Sequence, residues 1–266
     1  MVKPSEIENM FATNVYFMSI HNLIRRVKRT GLILMAGLLI IMQSCGDDGN
    51  ATPVKQTGLV TDREGNTYKT IRIGNQWWMA EDLRVTTFAS GELIPLITSP
   101  EEWASATYPA LTHYNNSTMR TEVLYNHHVI GSGEYIAPPG WRVPTDEDWK
   151  ILEEYLGLPV AEIDETNWRG TDQGDQLKIE TTTTEGWIRY DGVWGTNSSG
   201  FSATGGSCRV FNGEWGIPPT RHSGYWWTST VVNGHAWYRY LDYKKSGIFR
   251  YTAHPNYGFS IRCVKE

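Results

Sequence analysis

The chain has 266 residues, of which 20% are charged and 12% are aromatic, a composition typical of one or two globular domains. Its formal net charge is −5, and because an acidic surface repels phosphate backbones, we expect no nucleic-acid partner. The chain has 12 tryptophans and none precedes Trp77, so the first quarter of the sequence differs physically from the rest.

The N-terminal segment has the pattern of an export signal. Basic residues cluster between positions 25 and 29, and an uncharged apolar run at 31–42 leads to Gln43-Ser44-Cys45. The run is short for a bilayer-spanning helix, so it predicts a signal peptide over residues 1–44. Residues 1–17 carry Glu6 and Glu8, which are unusual in a signal. Our hypothesis is that translation starts at Met18.

The cysteine after Ser44 resembles the lipidation site of a bacterial lipoprotein, although Met42 stands where Leu or Val is commonest. We therefore expect Cys45 to carry lipid that holds an exported protein on the outer membrane; the alternative is a buried cysteine in an uncleaved anchor. Residues 45–57 are small and polar and predict a flexible tether. Asp47 and Asp48 resemble the surface-export signals of Bacteroidetes lipoproteins, or are simply solvated linker charges.

Removal of residues 1–44 takes away five Lys/Arg and two Asp/Glu, which changes the formal net charge from −5 to −8. It leaves Cys208 and Cys263 in an oxidising compartment once Cys45 is assigned to lipid. Two remaining cysteines in an exported protein favour one disulfide. Two buried free thiols are the alternative, since sequence does not give the distance between them.

Residues 58–266 predict one domain that opens with a hairpin. Two alternating runs are separated by a turn at Gly65-Asn66, and a second turn at Gly74-Asn75 leads into a third run. The segment Asp62–Asn66 also resembles part of a calcium loop, but it lacks the downstream bidentate Glu of an EF-hand. A hairpin turn is therefore the favoured interpretation, and we predict no metal site.

Two helices have clear start signals. Ser99 precedes Pro100 and stands three residues before Glu102, which predicts a capping box at the start of a short helix. Thr145 predicts the N-cap of a second helix that ends at Gly157. Its buried face should carry Trp149, Leu152, Tyr155 and Leu156. We interpret Asp146, Glu147 and Asp148 as helix-start charges rather than catalytic carboxylates.

The C-terminal part of the chain predicts strands. Residues 224–230, 236–241 and 258–266 alternate aromatic or aliphatic with polar residues, and residues 208–211 form a further short run bounded by glycines. The last segment should close this sheet against the opening hairpin. Adjacent tryptophans on a strand point to opposite faces, so one of Trp226 and Trp227 should face inward. Residues 158–200 predict a loop-rich section.

Five blocks of the sequence together resemble a known family. They are 62–83 with Gly74-Asn75-Gln76-Trp77-Trp78-Met79, 139–149 with Pro139-Gly140-Trp141-Arg142-Val143-Pro144, Gly200-Phe201-Ser202-Ala203, Tyr225-Trp226-Trp227-Thr228-Ser229-Thr230 and Gly258-Phe259-Ser260-Ile261-Arg262-Cys263-Val264. Their order and content are similar to the Fibrobacter succinogenes major paralogous domain, and the resemblance covers nearly all of the chain after the tether.

This resemblance implies an α+β fold similar to C-type lectins and formylglycine-generating enzymes. Such a fold has small antiparallel sheets, two short helices, long loops and paired N- and C-terminal strands. Many members have a cysteine before the Pro-Gly-Trp block, where this chain has Ala137-Pro138-Pro139. That difference leaves Cys208 as the partner for Cys263.

The expected function is a surface-displayed lectin-like binding module whose ligand is a glycan or a surface protein. The alternatives are a structural or appendage-assembly component and, less favoured, an enzyme of the formylglycine-generating fold. We predict no catalytic residue and no cofactor, because the sequence lacks a nucleophile elbow, a P-loop and a dinucleotide fingerprint. His127 and His128, on a segment we take as extended, should point to opposite faces. A ligand site is expected near His235 or Pro255–Tyr257, with Tyr114, Tyr225 and Tyr257 as exposed aromatics.

Overall fold

The structure is a computed structural model that describes residues 54–114, 122–181, 186–216 and 221–266. The described residues fall in one compact unit, Pro53–Glu266, and form an α+β arrangement of mainly antiparallel sheets with short helices. The predictions for the signal, Cys45 and the start of the tether lie outside the described residues. Within the described ranges, none of the helices is both long enough and apolar enough to cross a membrane.

The strands and helices of these ranges are short. The strands are β1 (Thr57–Thr61), β2 (Thr67–Ile73), β3 (Gln76–Met79), β4 (Leu111–His113), β5 (Val123–Tyr125), β6 (Trp141–Arg142), β7 (Asn167–Arg169), β8 (Ser223–Val232), β9 (His235–Asp242), β10 (Ile248–Ala253) and β11 (Val264–Lys265). The helices are α1 (Pro100–Ser105), α2 (His128–Gly131), α3 (Asp146–Tyr155) and α4 (Gln173–Leu177), with a 3-10 helix at Val160–Glu162.

The opening hairpin is confirmed and forms one side of a five-stranded sheet in the order β1-β2-β3-β11-β6. Its turn is held by the Asp62 carboxylate, which accepts hydrogen bonds from the backbone N–H groups of Glu64 and Asn66 at 2.9 Å and from the Tyr68 hydroxyl at 2.6 Å. These donors occupy the carboxylate oxygens, so the segment is a hairpin turn and not a calcium loop.

The second sheet has four strands in the order β7-β10-β9-β8. The predicted pairing of the last segment with the N-terminal strands is confirmed, because β11 pairs with β3, and it also pairs with β6. The prediction that one sheet holds both this segment and the other C-terminal strands is wrong, since β8 and β9 lie in the second sheet. The last segment contacts both sheets. Ser260 N donates to Tyr225 O of β8 at 3.1 Å, and Val264 pairs with Trp78 of β3. The terminal residues therefore join the two sheets.

The two predicted helices are present, with differences in detail. The Ser99 hydroxyl accepts from Glu102 N at 3.2 Å, but the reciprocal bond of a capping box is formed only at Thr145, by Asp148. On α3, Trp149, Leu152 and Leu156 are buried as predicted, whereas Tyr155 is 63% exposed. The Tyr155 ring instead lies over the turn at Gly74, where a Cβ would approach it to 2.8 Å.

Several short elements were missed or wrongly predicted. Helices α2 and α4 and strand β7 occupy segments that sequence left as loop or extended chain, because three to five residues are too few to show a period. The strand predicted at 208–211 is wrong: within it, Arg209 forms isolated bridges with Trp215 and Gly258.

Strand β8 separates two apolar clusters, which explains why both tryptophans of its pair are buried. Trp226 packs with Trp78 and Trp149, and Trp227 packs with Phe259 on the opposite side. The indoles are 1% and 0% exposed, so the prediction that one of them faces inward is confirmed, and the other is buried as well. The reason is that both faces of this part of β8 are covered.

Candidate ligand-binding site

The four-stranded sheet carries its charges on the inner face, against α3. Arg239 Nη1 and Arg250 Nη2 each lie 2.7 Å from an oxygen of Asp146. Glu153 lies two helical turns further along the same face of α3, and it accepts from Arg169 Nη2 at 2.9 Å and from Arg239 Nε at 2.5 Å. All five side chains are buried, so the guanidinium groups of this sheet are paired with carboxylates inside the protein.

Asp146, Glu147 and Asp148 lie in the first turn of α3, so their interpretation as helix-start charges is confirmed. Asp146 is also buried: burial by itself would raise the pKa of its carboxyl, but the hydrogen bonds and charges of Arg250 and Arg239 outweigh burial and lower the pKa to about 2. Asp148 is likewise held by Arg142 in a bidentate pair. Two of the three charges thus also form ion pairs, which sequence did not indicate.

The outer face of the same sheet is aromatic. Strand pairing places Trp168, Phe249, Tyr240 and Tyr225 beside one another across β7, β10, β9 and β8, and we call these four residues the aromatic row. Ring centroids lie 5.4 Å apart for Trp168 and Phe249, 5.8 Å for Phe249 and Tyr240, and 4.6 Å for Tyr240 and Tyr225. All four side chains are partly exposed.

A groove opens beside this row. Its volume is about 760 Å³, and we call it the aromatic groove. Its lining consists of Cys208, Phe211, Tyr225, His235, Tyr238, Tyr251, Thr252, Ala253, His254, Tyr257 and Phe259. Among its Phe and Tyr rings, Phe211 and Tyr251 are the most open, at 48% and 46% exposure, while Phe259 is buried.

The lining is polar but uncharged. It contains no Asp, Glu, Lys or Arg side chain. Burial raises the pKa of Tyr238 and of Tyr257, so both phenols keep their protons at neutral pH. Burial, together with the nearby His235 and His128, lowers the pKa of His254, whose ring is then neutral at pH 7. The groove thus offers aromatic surface and hydrogen-bonding groups without a formal charge.

Comparison with known proteins identifies the family. The Fibrobacter succinogenes major domain matches residues 71–265 of the chain. The chain belongs to this family. No curated protein and no solved structure matches it.

In this Fibrobacter succinogenes major domain, the residues expected near a ligand site lie partly in the groove. His235, Tyr225 and Tyr257 line it, whereas the Tyr114 ring packs edge-on against Trp215 at 5.3 Å and is not part of the lining. Pro255 also lies outside the lining, and its carbonyl accepts from His127 N.

Sequence reasoning missed the residues that β9 and β10 bring to the site. These are Tyr238 and Tyr251 on the strands and His254 directly after β10, together with Phe211 from the preceding loop. A usable signal was present, because Tyr238-Arg239-Tyr240 and Phe249-Arg250-Tyr251 share one alternating pattern of aromatic and basic residues. In the register that the two strands adopt, Tyr240 faces Phe249 and Tyr238 faces Tyr251, so these four aromatics share one face.

Both cysteines of the domain are free thiols, which corrects the expected disulfide. Cys208 and Cys263 are buried, at 5% and 0% exposure. Burial raises the pKa of Cys208 to about 12 and also raises that of Cys263. They behave as small apolar core residues, in agreement with the alternative of two buried free thiols.

The adjacent histidines do not form a shared site, although the segment is helical and not extended. His127 is the N-cap of α2; its Nε2 lies 2.9 Å from Thr228 O, and burial lowers its pKa to about 4. His128 Nε2 lies 3.0 Å from the side-chain oxygen of Asn256. Within the described ranges, no three His, Cys, Asp or Glu residues are arranged to hold a metal ion.

A second hollow of about 390 Å³ lies between the 130–137 segment and the start of α3. Tyr135 provides its aromatic ring, and its one guanidinium, Arg142, is already bound to Asp148. It therefore offers far less aromatic surface than the aromatic groove, which is the better candidate for a ligand site.

Proposed function

We propose that the protein is a cell-envelope lipoprotein that displays a lectin-like module and binds glycan in the aromatic groove. The observation that carries this proposal is the lining of the groove, which combines aromatic rings with uncharged hydrogen-bonding groups. Concave sites of this kind, largely apolar with a few polar groups, are typical of small-molecule recognition.

The phenol groups support a glycan in preference to a purely apolar ligand. Tyr238, Tyr251 and Tyr257 all line the groove, so each brings a phenol group to it. A sugar ring presents C–H groups on its faces and hydroxyls at its edge. Tyrosine complements both parts, because its ring contacts the apolar face while its hydroxyl donates or accepts at the edge.

The lectin-like part of the proposal rests on architecture. The N-terminal hairpin and the C-terminal strand lie in one sheet, where Val264 of β11 pairs with Trp78 of β3. The second sheet and the loops beside it carry most of the lining of the groove. A domain whose termini meet in one sheet and whose site lies on another is well suited to display from a tether.

The envelope location rests on the N-terminal sequence. We expect processing before Cys45 and attachment of lipid to its thiol, so that the outer membrane is the partner that holds the protein. Cys45→Ser should abolish metabolic labelling with a fatty acid and move the protein from the membrane fraction to the soluble fraction. Equal labelling of both forms would refute lipidation at this residue.

Glycan binding is tested with the full chain in a detergent that has no sugar headgroup. An array of glycans should give a defined set of ligands, and Tyr251→Ala should weaken their binding about fivefold, since loss of one aromatic contact costs about 1 kcal/mol. Tyr135→Ala is the matched control, because Tyr135 is 68% exposed and lies outside the groove. A blank array, or equal effects of the two substitutions, would refute the proposal.

A role in surface assembly is the second candidate, and strand β1 favours it. This strand is at the edge of its sheet, and within the described ranges its backbone pairs only with β2. Leu59 on this strand is 72% exposed, and open edge strands can add a strand from another chain. Cross-linking on intact cells would then join the protein to itself or to one constant partner.

A further inference from the structure

The aromatic row continues from the groove across the whole four-stranded sheet. Tyr225 belongs to both, and Tyr251 of the groove lies 6.2 Å from Phe249 of the row. From Phe249 the row reaches Trp168 on the edge strand β7, at 5.4 Å. We propose that the ligand is an uncharged, extended polysaccharide chain that fills the groove and continues along the row to Trp168. This inference rests on the proposed function.

The position of the row beside the groove supports a ligand longer than one sugar. Trp168 and Tyr240 are both cross-strand partners of Phe249, so these three rings lie together on the outer face. Their ring centroids are 5.3 to 5.8 Å from one another and therefore form a compact patch. A groove that continues into such a patch matches linked sugar rings better than a single compact ligand.

Charge supports an uncharged chain. The guanidinium groups of the sheet, on Arg169, Arg239 and Arg250, lie on its inner face and are paired with carboxylates. On the outer face the Tyr240 hydroxyl donates to Asp242, which engages that carboxylate. A uronic-acid polymer would meet aromatic rings and neutral phenols, with no cation in the groove lining to bind its carboxylates.

Exposure of the row supports a binding role over a purely structural one. Strands with one solvated face ordinarily carry polar residues there, whereas this face carries aromatic residues that remain partly exposed. A contiguous exposed apolar surface of this kind marks an interaction site. A lipid bilayer and a second copy of the chain are the competing occupants, and the experiments below distinguish them.

The first test uses the unmodified full chain and neutral oligosaccharides of increasing length. Cello-oligosaccharides and manno-oligosaccharides from disaccharide to hexasaccharide are titrated by calorimetry, with oligogalacturonides as the charged control. We expect affinity to rise with each added unit and the oligogalacturonides to bind at least tenfold more weakly than neutral chains of equal length. Affinity that stops rising at the disaccharide, or equal binding of the charged chains, would overturn the inference while leaving the groove as a glycan site. If no oligosaccharide of any length binds, both this inference and the proposed glycan binding are refuted.

The second test removes the far end of the row. Trp168→Ala should weaken hexasaccharide binding about tenfold and leave disaccharide binding within about twofold, whereas Tyr251→Ala should weaken both. Trp168→Phe keeps a ring and should retain most of the affinity, which separates loss of contact from misfolding. Trp194→Ala is the matched control, since Trp194 is 45% exposed and outside both the row and the groove.

Two outcomes would assign the row to another occupant. Quenching of tryptophan fluorescence by brominated lipid in the membrane-bound protein, if lost in Trp168→Phe, would place the row on the bilayer. Concentration-dependent dimerisation that is lost in Trp168→Ala would assign it to a second copy of the chain. Either result would overturn the inference, and their absence together with length-dependent binding would support it.

Discussion

Replacement of Asp146 by alanine should be among the most damaging single changes in the domain. Its two carboxylate oxygens serve two buried guanidinium groups, with Arg239 at 2.7 Å and Arg250 at 2.7 Å. Arg239 is fully buried and Arg250 is 4% exposed, so neither can turn to water when the carboxylate is removed. The variant would leave excess positive charge between α3 and the four-stranded sheet.

The expected cost is about 3 to 5 kcal/mol of the free energy of unfolding, the usual penalty for removing one partner of a buried ion pair. The low pKa of Asp146 gives an independent lower figure. A drop from 3.8 to about 2 corresponds to about 2 kcal/mol of stability above pH 4. The larger value applies to alanine, because truncation also leaves the guanidinium groups without hydrogen-bond acceptors. Both values are large against a typical total of about 5 to 15 kcal/mol.

The measurement is equilibrium unfolding in urea followed by tryptophan fluorescence. Glu147→Ala is the matched control, because Glu147 is the next residue of the same helical turn but its side chain is 71% exposed and lies 3.5 Å from Lys150. It should cost less than about 1 kcal/mol. If Asp146→Ala and Glu147→Ala destabilise the protein equally, the buried network does not contribute as the geometry indicates.

Three further predictions concern pH, the thiols and close backbone packing. Because the pKa of Asp146 is depressed in the folded state, the stability that its carboxylate contributes is present above pH 4 and is lost as pH falls towards 2. The difference in unfolding free energy between wild type and Asp146→Ala should therefore shrink by about 2 kcal/mol over this range. A difference that stays constant would contradict this prediction. In the absence of reductant, Cys208 and Cys263 should react with a thiol reagent once the protein is unfolded, and not while it is folded. Thiols that stay unreactive in the unfolded protein would indicate a disulfide and contradict this prediction. Gly174→Ala should lower the stability measured in urea by about 1 to 3 kcal/mol, since its Cβ would lie 2.2 Å from the backbone oxygen of Gly247. An unchanged urea midpoint would show that the backbone at Gly247 moves aside without cost.

Local features could be predicted because their signals lie within a few residues. The hairpin at Gly65, the N-cap at Thr145 and the helix end at Gly157 each depend on one turn or cap, and all three are present. The strands around Trp226 and Tyr238 were likewise indicated by alternation. The five-block signature led to the correct family, because it depends on residue order and not on contacts.

The candidate site could be predicted only in part. His235 and Tyr257 were named because the sequence placed them in loops beside predicted strands, and both line the groove. Tyr238 and Tyr251 were not, because they lie on strands and nothing local shows whether a strand residue is covered. Their selection depends on pairing between β9 and β10, which brings them side by side on the same face.

The sequence by itself determined the family, the elements with caps and turns, and the two-faced character of the C-terminal strands. Only the tertiary structure decided which face is inside. Alternation of aromatic and basic residues in β9 and β10 is compatible with two arrangements. In the usual one the rings are buried and the charges are exposed, and in the other the charges are buried and the rings are exposed. Helix α3 reverses that choice, because Asp146 and Glu153 supply the carboxylates that allow the guanidinium groups to be buried. The aromatic residues are thereby left on the outer face, where the row and the groove are formed.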